Sequence, residues 1–255
     1  MEYNINHDLS IIHKNFNNEC NVIDLSNFKS NPSMKEIVQN CSNSSGLQHK
    51  NFIIMNYLDI YKKIDFEILK KYDLIGGHGK EALIDGLTPK VFSYLKEAIL
   101  FYDKYLKEKN ITEIRNLLIF GGGYGMEAAI LYHICSLVNI KVHKITGIDM
   151  DNVSKLQNMF FKECQIDNIC KCYNSDYTDL NIDIVYSNCC LAELTNEINY
   201  NYWNNYISNS NGFYIVWGLW CADIPSYYKK YEDTILDDIL NDGLRDKRVN
   251  CLFLK

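Results

Sequence analysis

Residues 117–131 read LLIFGGGYGMEAAIL: four apolar residues run into three consecutive glycines, then Tyr124 and Gly125, then helix-forming sequence. Without a Cβ, Gly121, Gly122, Gly123 and Gly125 let the chain take positive φ and bring bare amides against a ligand. A plain strand-to-helix turn needs only one or two glycines. So many at the mouth of a strand point to a nucleotide-like ligand, with the loop from Gly121 through Tyr124 to Gly125 as its cradle.

Two acidic stretches follow at the spacing of further strand ends. The first, GIDMDN, offers Asp149, with Met150 beside it, as a carboxylate able to accept from both ribose hydroxyls. Asp151 is better placed to cap the next helix. The second, NSDYTD, offers Asp176 to an adenine amino group and Tyr177 to a ring face. A dinucleotide loop, GxGxxG or GxGxxA, fits only from Gly123 through Ala128, two residues deeper than usual. GxGxG starting at Gly121, directly after the strand, suits S-adenosylmethionine better. Asp149 lies farther from Gly121 than the usual spacing of about 20 residues; the long SLVNIKVHK connection accounts for the excess.

These residues must be held by strands and helices in alternation. From about residue 114, apolar runs at 116–120, 142–149, 169–173, 182–187 and 213–219 are separated by helical stretches from Tyr124, Asn152 and Asn196. That pattern predicts a parallel sheet covered on both faces, an α/β doubly wound, Rossmann-like sheet. YYKKYEDTILDDIL predicts a further helix and NCLFLK a last strand. Ahead of this core, residues 1 to about 30 are weakly patterned, and Ser33 and Glu36 suit a capping box on a short helix. CSNSSGLQ reads as loop. The stretch KNFIIMNYLDIYKKIDFEILKKY reads as helix, broken once. Thr88 as cap and Pro89 in the first turn start a helix whose apolar face is Val91, Leu95, Ala98, Ile99, Tyr102 and Leu106. The expected division is a mainly helical region at 1–110, contributing to the substrate side, and a cofactor-binding core at 111–255.

Four segments, DGLTPKVFSYLK, IFGGGYG, GIDMDNVSKLQ and IVYSNCCLAEL, together resemble those of sugar O-methyltransferases of polysaccharide and glycan biosynthesis. These belong to the class I S-adenosylmethionine-dependent methyltransferases. The resemblance covers about residues 75 to 220. It implies the class I methyltransferase fold, S-adenosylmethionine as cofactor and a sugar or nucleotide-sugar as acceptor. It carries one departure: where that family has an acidic residue two positions before the first glycine, helping to hold the methionine amino group, this chain has Ile119.

Methyl transfer to a sugar hydroxyl is an in-line displacement on a weak nucleophile, so a base must take the proton as the bond forms. In such a fold the end of the fourth strand faces the methyl group. That makes Glu193, in SNCCLAEL, the leading base and Asn188 the residue orienting cofactor or acceptor. His78 in IGGHG is the second candidate, its ring able to titrate near neutrality. Trp217 and Trp220 are candidates for stacking on a sugar, although tryptophan at such a place is more often core. The fourth strand lacks the Asp/Asn-Pro-Pro-aromatic form of enzymes that methylate bases or glutamine amides, which favours oxygen as acceptor. Two other functions stay open: an NAD-dependent oxidoreductase on the same sheet, and a non-catalytic binding protein that kept the fold.

Composition narrows the field. A net charge of −6, with no run of five basic residues, gives no attraction to nucleic acid. No stretch of eighteen apolar residues and no leader-like start are present, so a soluble cytoplasmic protein with no membrane partner is expected. The ten cysteines include no CxxC pair, which argues for reduced thiols rather than zinc. A homodimer is left open.

Overall fold

The computed structural model describes residues 13–22, 24–77, 83–177, 181–218, 224–237 and 249–255. Its centre is β2 (Leu117–Phe120), with β4 (Ile145–Ile148) on one side and β6 (Ile184–Asn188) on the other, all parallel. β5 (Cys170–Tyr173) extends the β4 side, and β7 (Gly212–Gly218) the β6 side, also in parallel. β9 (Val249–Leu254) runs antiparallel to β7, and β8 (Glu232–Asp237) antiparallel to β9. The order β5-β4-β2-β6-β7-β9-β8 is a doubly wound, Rossmann-like sheet whose strand order reverses between β2 and β6. β1 (Glu113–Ile114) and β3 (Lys141–Val142) form a separate parallel pair. β3 lies inside the long connection to β4, so the stretch expected as one strand at 142–149 is two short ones.

Alternation along the strands builds the two faces. Leu117, Ile119, Ile145, Ile184, Tyr186, Tyr214 and Val216 pack into one cluster with α5 (Pro89–Phe101), α6 (Met126–Leu137) and α7 (Asp151–Glu163). Leu118, Phe120, Ile148, Val185, Phe213, Ile215 and Trp217 form the other, against Trp203, Tyr206, Ile207 and Tyr228. Trp217 is therefore core, its ring 5.3 Å from Tyr228; Trp220 lies outside the described residues. The first cluster is continuous from the N-terminal helices into the sheet, from Phe16 and Val38 through Leu95 to Ile119.

Several N-terminal expectations change. α1 (helical residues 13–19) and α2 (Pro32–Ile37) come first. The capping box is not formed: Asn31 stands at the N-cap position of α2 without a side-chain capping bond, and Ser33 Oγ donates to Glu19 Oε1 at 2.8 Å. Residues 43–48, expected as loop, open α3 (Asn43–Tyr61), because Ser42 Oγ accepts from Ser45 N–H and caps it. Gly46 is where α3 crosses the start of α5, since a Cβ there would lie 2.6 Å from Pro89 Cβ. α4 (Phe66–Leu74) follows the expected break, capped by Asp65. Thr88 holds the N-cap position of α5 and Pro89 its first turn, as expected, but the Thr88 side chain makes no capping bond: its N–H and Oγ1 donate to Asp73, at 2.6 and 2.9 Å. Asp73 also pairs with Lys29 Nζ at 2.9 Å, both side chains fully buried.

The helix expected over 227–240 is a four-residue α10 (Ser226–Lys229) followed by strand β8. A short, weakly periodic segment takes the form its surroundings demand, and here β8 covers the open edge of β9. The remaining short helices are α8 (Cys190–Glu193) and α9 (Asn196–Tyr202). Among the described residues no helix is long and apolar enough to cross a membrane.

The buried Lys29–Asp73 pair ties the segment before α2 to the ends of α4 and α5. Lys29→Met is expected to cost about 3–5 kcal/mol, because the Asp73 charge stays buried without it; urea unfolding checks this.

Candidate active site

The parallel ladders end level with one another. Phe120 pairs with Ile148 and with Ser187, so Gly121, Asp149 and Asn188 emerge side by side where the strand order reverses. That crevice is where a doubly wound sheet receives a ligand. Gly121, Gly123 and Gly125 have φ of +68°, +59° and +110°. A Cβ on Gly121 would sit 2.4 Å from Cys190 Sγ, and one on Gly123 2.8 Å from Val38 Cγ1, so larger residues are excluded twice over. Among the described residues, the N–H groups of Gly122 and Gly123 meet no acceptor. Tyr124, within the loop, turns inward: its buried ring lies 5.3 Å from both Phe28 and Phe160.

Asp149 follows β4, and its N–H donates to Tyr173 O. Its carboxylate accepts from Met150 N–H at 2.9 Å through Oδ1 and from Gln157 Nε2 at 2.9 Å through Oδ2. The same Gln157 nitrogen donates to Gly123 O at 2.9 Å, so one side chain of α7 joins the glycine loop to the carboxylate. Gln157 was not singled out from the sequence; one turn of a helix among other polar residues gives no local signal of such a bridge. Burial pushes the Asp149 carboxyl up to about 7, against the opposing effect of its two hydrogen bonds. Two of the carboxylate's roughly four lone-pair directions remain for ligand hydroxyls. Met150 is half-buried and occupies the N-cap position of α7 without a side-chain capping bond, a place expected for Asp151, which instead is the first helical residue.

On the β5 side, Asp176 is exposed. Tyr177 stacks on Tyr173 with centroids 4.1 Å apart, and its Oη accepts from Lys144 Nζ at 2.9 Å. Tyr206 Oη fixes this loop by donating to the carbonyls of Ser175 and Tyr177.

At the end of β6, Asn188 Nδ2 donates to Glu127 Oε1 at 3.0 Å, and Tyr186 Oη donates to the same oxygen at 3.1 Å. Cys189 then turns at φ +63° into α8, which carries Glu193. Glu193 Oε2 lies 3.3 Å from His13 Nε2, so α1 reaches across the crevice to the expected base. Asn17 on the same segment accepts from Asn152 N–H at 3.0 Å, at the start of α7. His78 falls outside the described residues.

Glu127 is the second residue that sequence reading missed. Its signal was there: it stands in the first turn of MEAAILYHICSL, a helix apolar nearly all round, so its carboxyl had to be buried. It is 4% exposed. Burial raises its carboxyl from 4.5 to about 7, against the bonds from Asn188 and Tyr186 and the charge of Lys90. Lys90, Tyr94 and Glu97, at helical spacing on α5, surround it electrostatically. The site thus joins a peptide cradle, one carboxylate on each side of it and a third, Glu193, at the rim: a set suited to holding a polar ligand with hydroxyls and to moving a proton.

No family model matches the chain. No curated protein matches it. Among solved structures it is similar to a Thermoplasma acidophilum protein at 10% identity, with 74% of this chain and 95% of that one covered and a TM-score of 0.45. An O-methyltransferase from Bacillus cereus in complex with SAH is similar at 9% identity, over 64% and 90%, with a TM-score of 0.40. M. capricolum TrmK in complex with S-adenosyl-homocysteine is similar at 12%, over 56% and 62%, with a TM-score of 0.39. With TM-scores this low, the doubly wound assignment stands on the strand order itself.

Because Glu127 holds its proton more tightly folded than unfolded, its contribution is lost as pH rises from the unfolded carboxyl value, about 4.3, through about 7. Glu127→Gln keeps an acceptor for Tyr186 and Asn188 and removes the charge. It is expected to stabilise the ligand-free protein by about 3 kcal/mol at pH 8 and to change little at pH 4, as read from urea unfolding at both pH values.

Proposed function

We propose that the protein is an S-adenosylmethionine-dependent methyltransferase whose acceptor is a hydroxyl of a sugar, free, nucleotide-linked or within a glycan. The observation that carries the reading is the pair of amides at Gly122 and Gly123, unpartnered among the described residues, beside Asp149 at the neighbouring end of β4, with Gln157 bonding both the loop and that carboxylate. Those donors and acceptors fit a nucleoside: the amides and glycine backbone allow close approach, and Asp149 keeps lone pairs for ribose hydroxyls. Met150 and Asn188 flank the cradle on either side, while the exposed Asp176, at the β5 end of the rim, is offered to the adenine amino group.

Bound there, S-adenosylmethionine would supply a methyl carbon on a sulfonium, open to displacement by oxygen. Glu193 accepts the proton of the acceptor hydroxyl as that oxygen attacks. His13 Nε2, 3.3 Å from Glu193 Oε2, would orient that carboxylate. Asn188, anchored through Nδ2 on Glu127, presents its carbonyl oxygen as an acceptor to the substrate side. The sugar assignment is supported by the resemblance of DGLTPKVFSYLK and IVYSNCCLAEL. The first of these covers the start of α5, which packs in the same core as the N-terminal helices.

Isothermal titration with S-adenosylhomocysteine and with NAD tests the cofactor: binding of the first and not the second is expected, and the reverse overturns the proposal. Asp149→Ala should weaken S-adenosylhomocysteine at least about tenfold, the loss of one or two hydrogen bonds to a charged group. Glu193→Gln should lower turnover of a nucleotide-sugar panel, followed by mass spectrometry, by about 10²-fold or more while leaving that affinity unchanged.

A further inference from the structure

Glu127 is a buried carboxylate that meets only neutral donors. Tyr186 Oη and Asn188 Nδ2 both donate to Oε1, and no Lys, Arg or His forms an ion pair with it among the described residues. Lys90 acts on it only through space. Its Nζ donates to Asn40 Oδ1 at 3.2 Å and lies 5.1 Å from the Tyr94 ring centroid, while Glu97 adds like charge. A carboxylate taken out of water without a cation is costly: it holds its proton when the site is empty and is favoured as the anion when a ligand brings positive charge.

Its position says which ligand group that is. Glu127 stands two residues beyond Gly125, in the first turn of the helix that the glycine loop feeds, and is bonded to the last residue of β6. Asp149 lies on the other side of the loop, at the end of β4. The crevice therefore has a hydroxyl-accepting carboxylate at its β4 end and a cation-seeking carboxylate at its β6 end, with the peptide cradle between. The strand itself supplies no acid there: Ile119 is buried in the core, and Tyr186, its partner in the ladder, turns its hydroxyl to Glu127 instead.

We infer that Glu127 receives the ammonium group at the amino-acid end of the bound nucleoside, taking from α6 the role that β2 leaves empty at Ile119. The inference rests on the cofactor reading above. It adds that this chain holds the ammonium by a helix-borne carboxylate positioned by Tyr186 and Asn188.

The test compares two probes by calorimetry: S-adenosylhomocysteine, which has the ammonium and no sulfonium, and 5′-methylthioadenosine, which lacks the amino-acid end. Where direct heats are small, displacement of the first by the second gives the constant. Glu127→Gln should weaken S-adenosylhomocysteine roughly 10- to 100-fold, as expected for a hydrogen bond to a charged group. It should leave 5′-methylthioadenosine within about twofold. Equal weakening of both probes would mean that Glu127 only shapes the loop, and an unchanged S-adenosylhomocysteine affinity would mean that the ammonium lies elsewhere; either overturns the inference while the cofactor reading stands. If the unaltered protein binds neither probe, the cofactor reading falls and this inference with it.

Discussion

The level ending of three parallel strands governs this molecule. Hydrogen-bonded register places Phe120 opposite Ile148 on one side and Ser187 on the other, so the next residue of each strand, Gly121, Asp149 and Asn188, arrives at the same edge. A slip of one position in either ladder would send alternate side chains to the opposite face and exchange the two hydrophobic clusters. Because each strand is apolar on both faces, such a slip is resisted by the packing of both clusters at once. The site is thus a consequence of sheet register before it is a matter of any single side chain.

The residues ahead of the sheet are part of the same construction. Val38 closes on Gly123, Asn17 anchors the start of α7, and His13 reaches Glu193. The Lys29–Asp73–Thr88 network fixes where this segment leaves the helices behind it. The glycine backbone therefore serves two masters: its Cα side receives the chain's own Val38 and Cys190, and its amides at Gly122 and Gly123 meet no acceptor among the described residues.

A buried carboxyl, Glu127, and a half-buried one, Asp149, flank that loop, and both are pushed up to about 7 by loss of water. They differ in company. Asp149 is bonded by a backbone N–H and by the amide of Gln157, which leaves acceptor capacity for hydroxyls. Glu127 receives two neutral donors on one oxygen beside a like charge at Glu97, which leaves a demand for positive charge. Protein electrostatics here is set by what is absent from each carboxylate's neighbourhood as much as by what is present.

The amino-acid sequence by itself determined the alternation of buried strands and helices, the glycine turn after the first central strand, the break between α3 and α4, and the strand ends that carry Asp149 and Asn188. These are local: apolar runs, glycine conformations and helix starts act within a few residues. Only the tertiary structure decided that residues 43–48 begin a helix under Pro89, that Ser33 serves Glu19 instead of a cap, and that 232–237 forms a strand along β9. It also decided that Gln157 bonds the glycine loop, that Glu127 bonds the end of β6, and that Tyr124 and Trp217 belong to the core. Each of those depends on partners distant in the chain, and a side chain's burial and bonding are properties of the surfaces that meet around it.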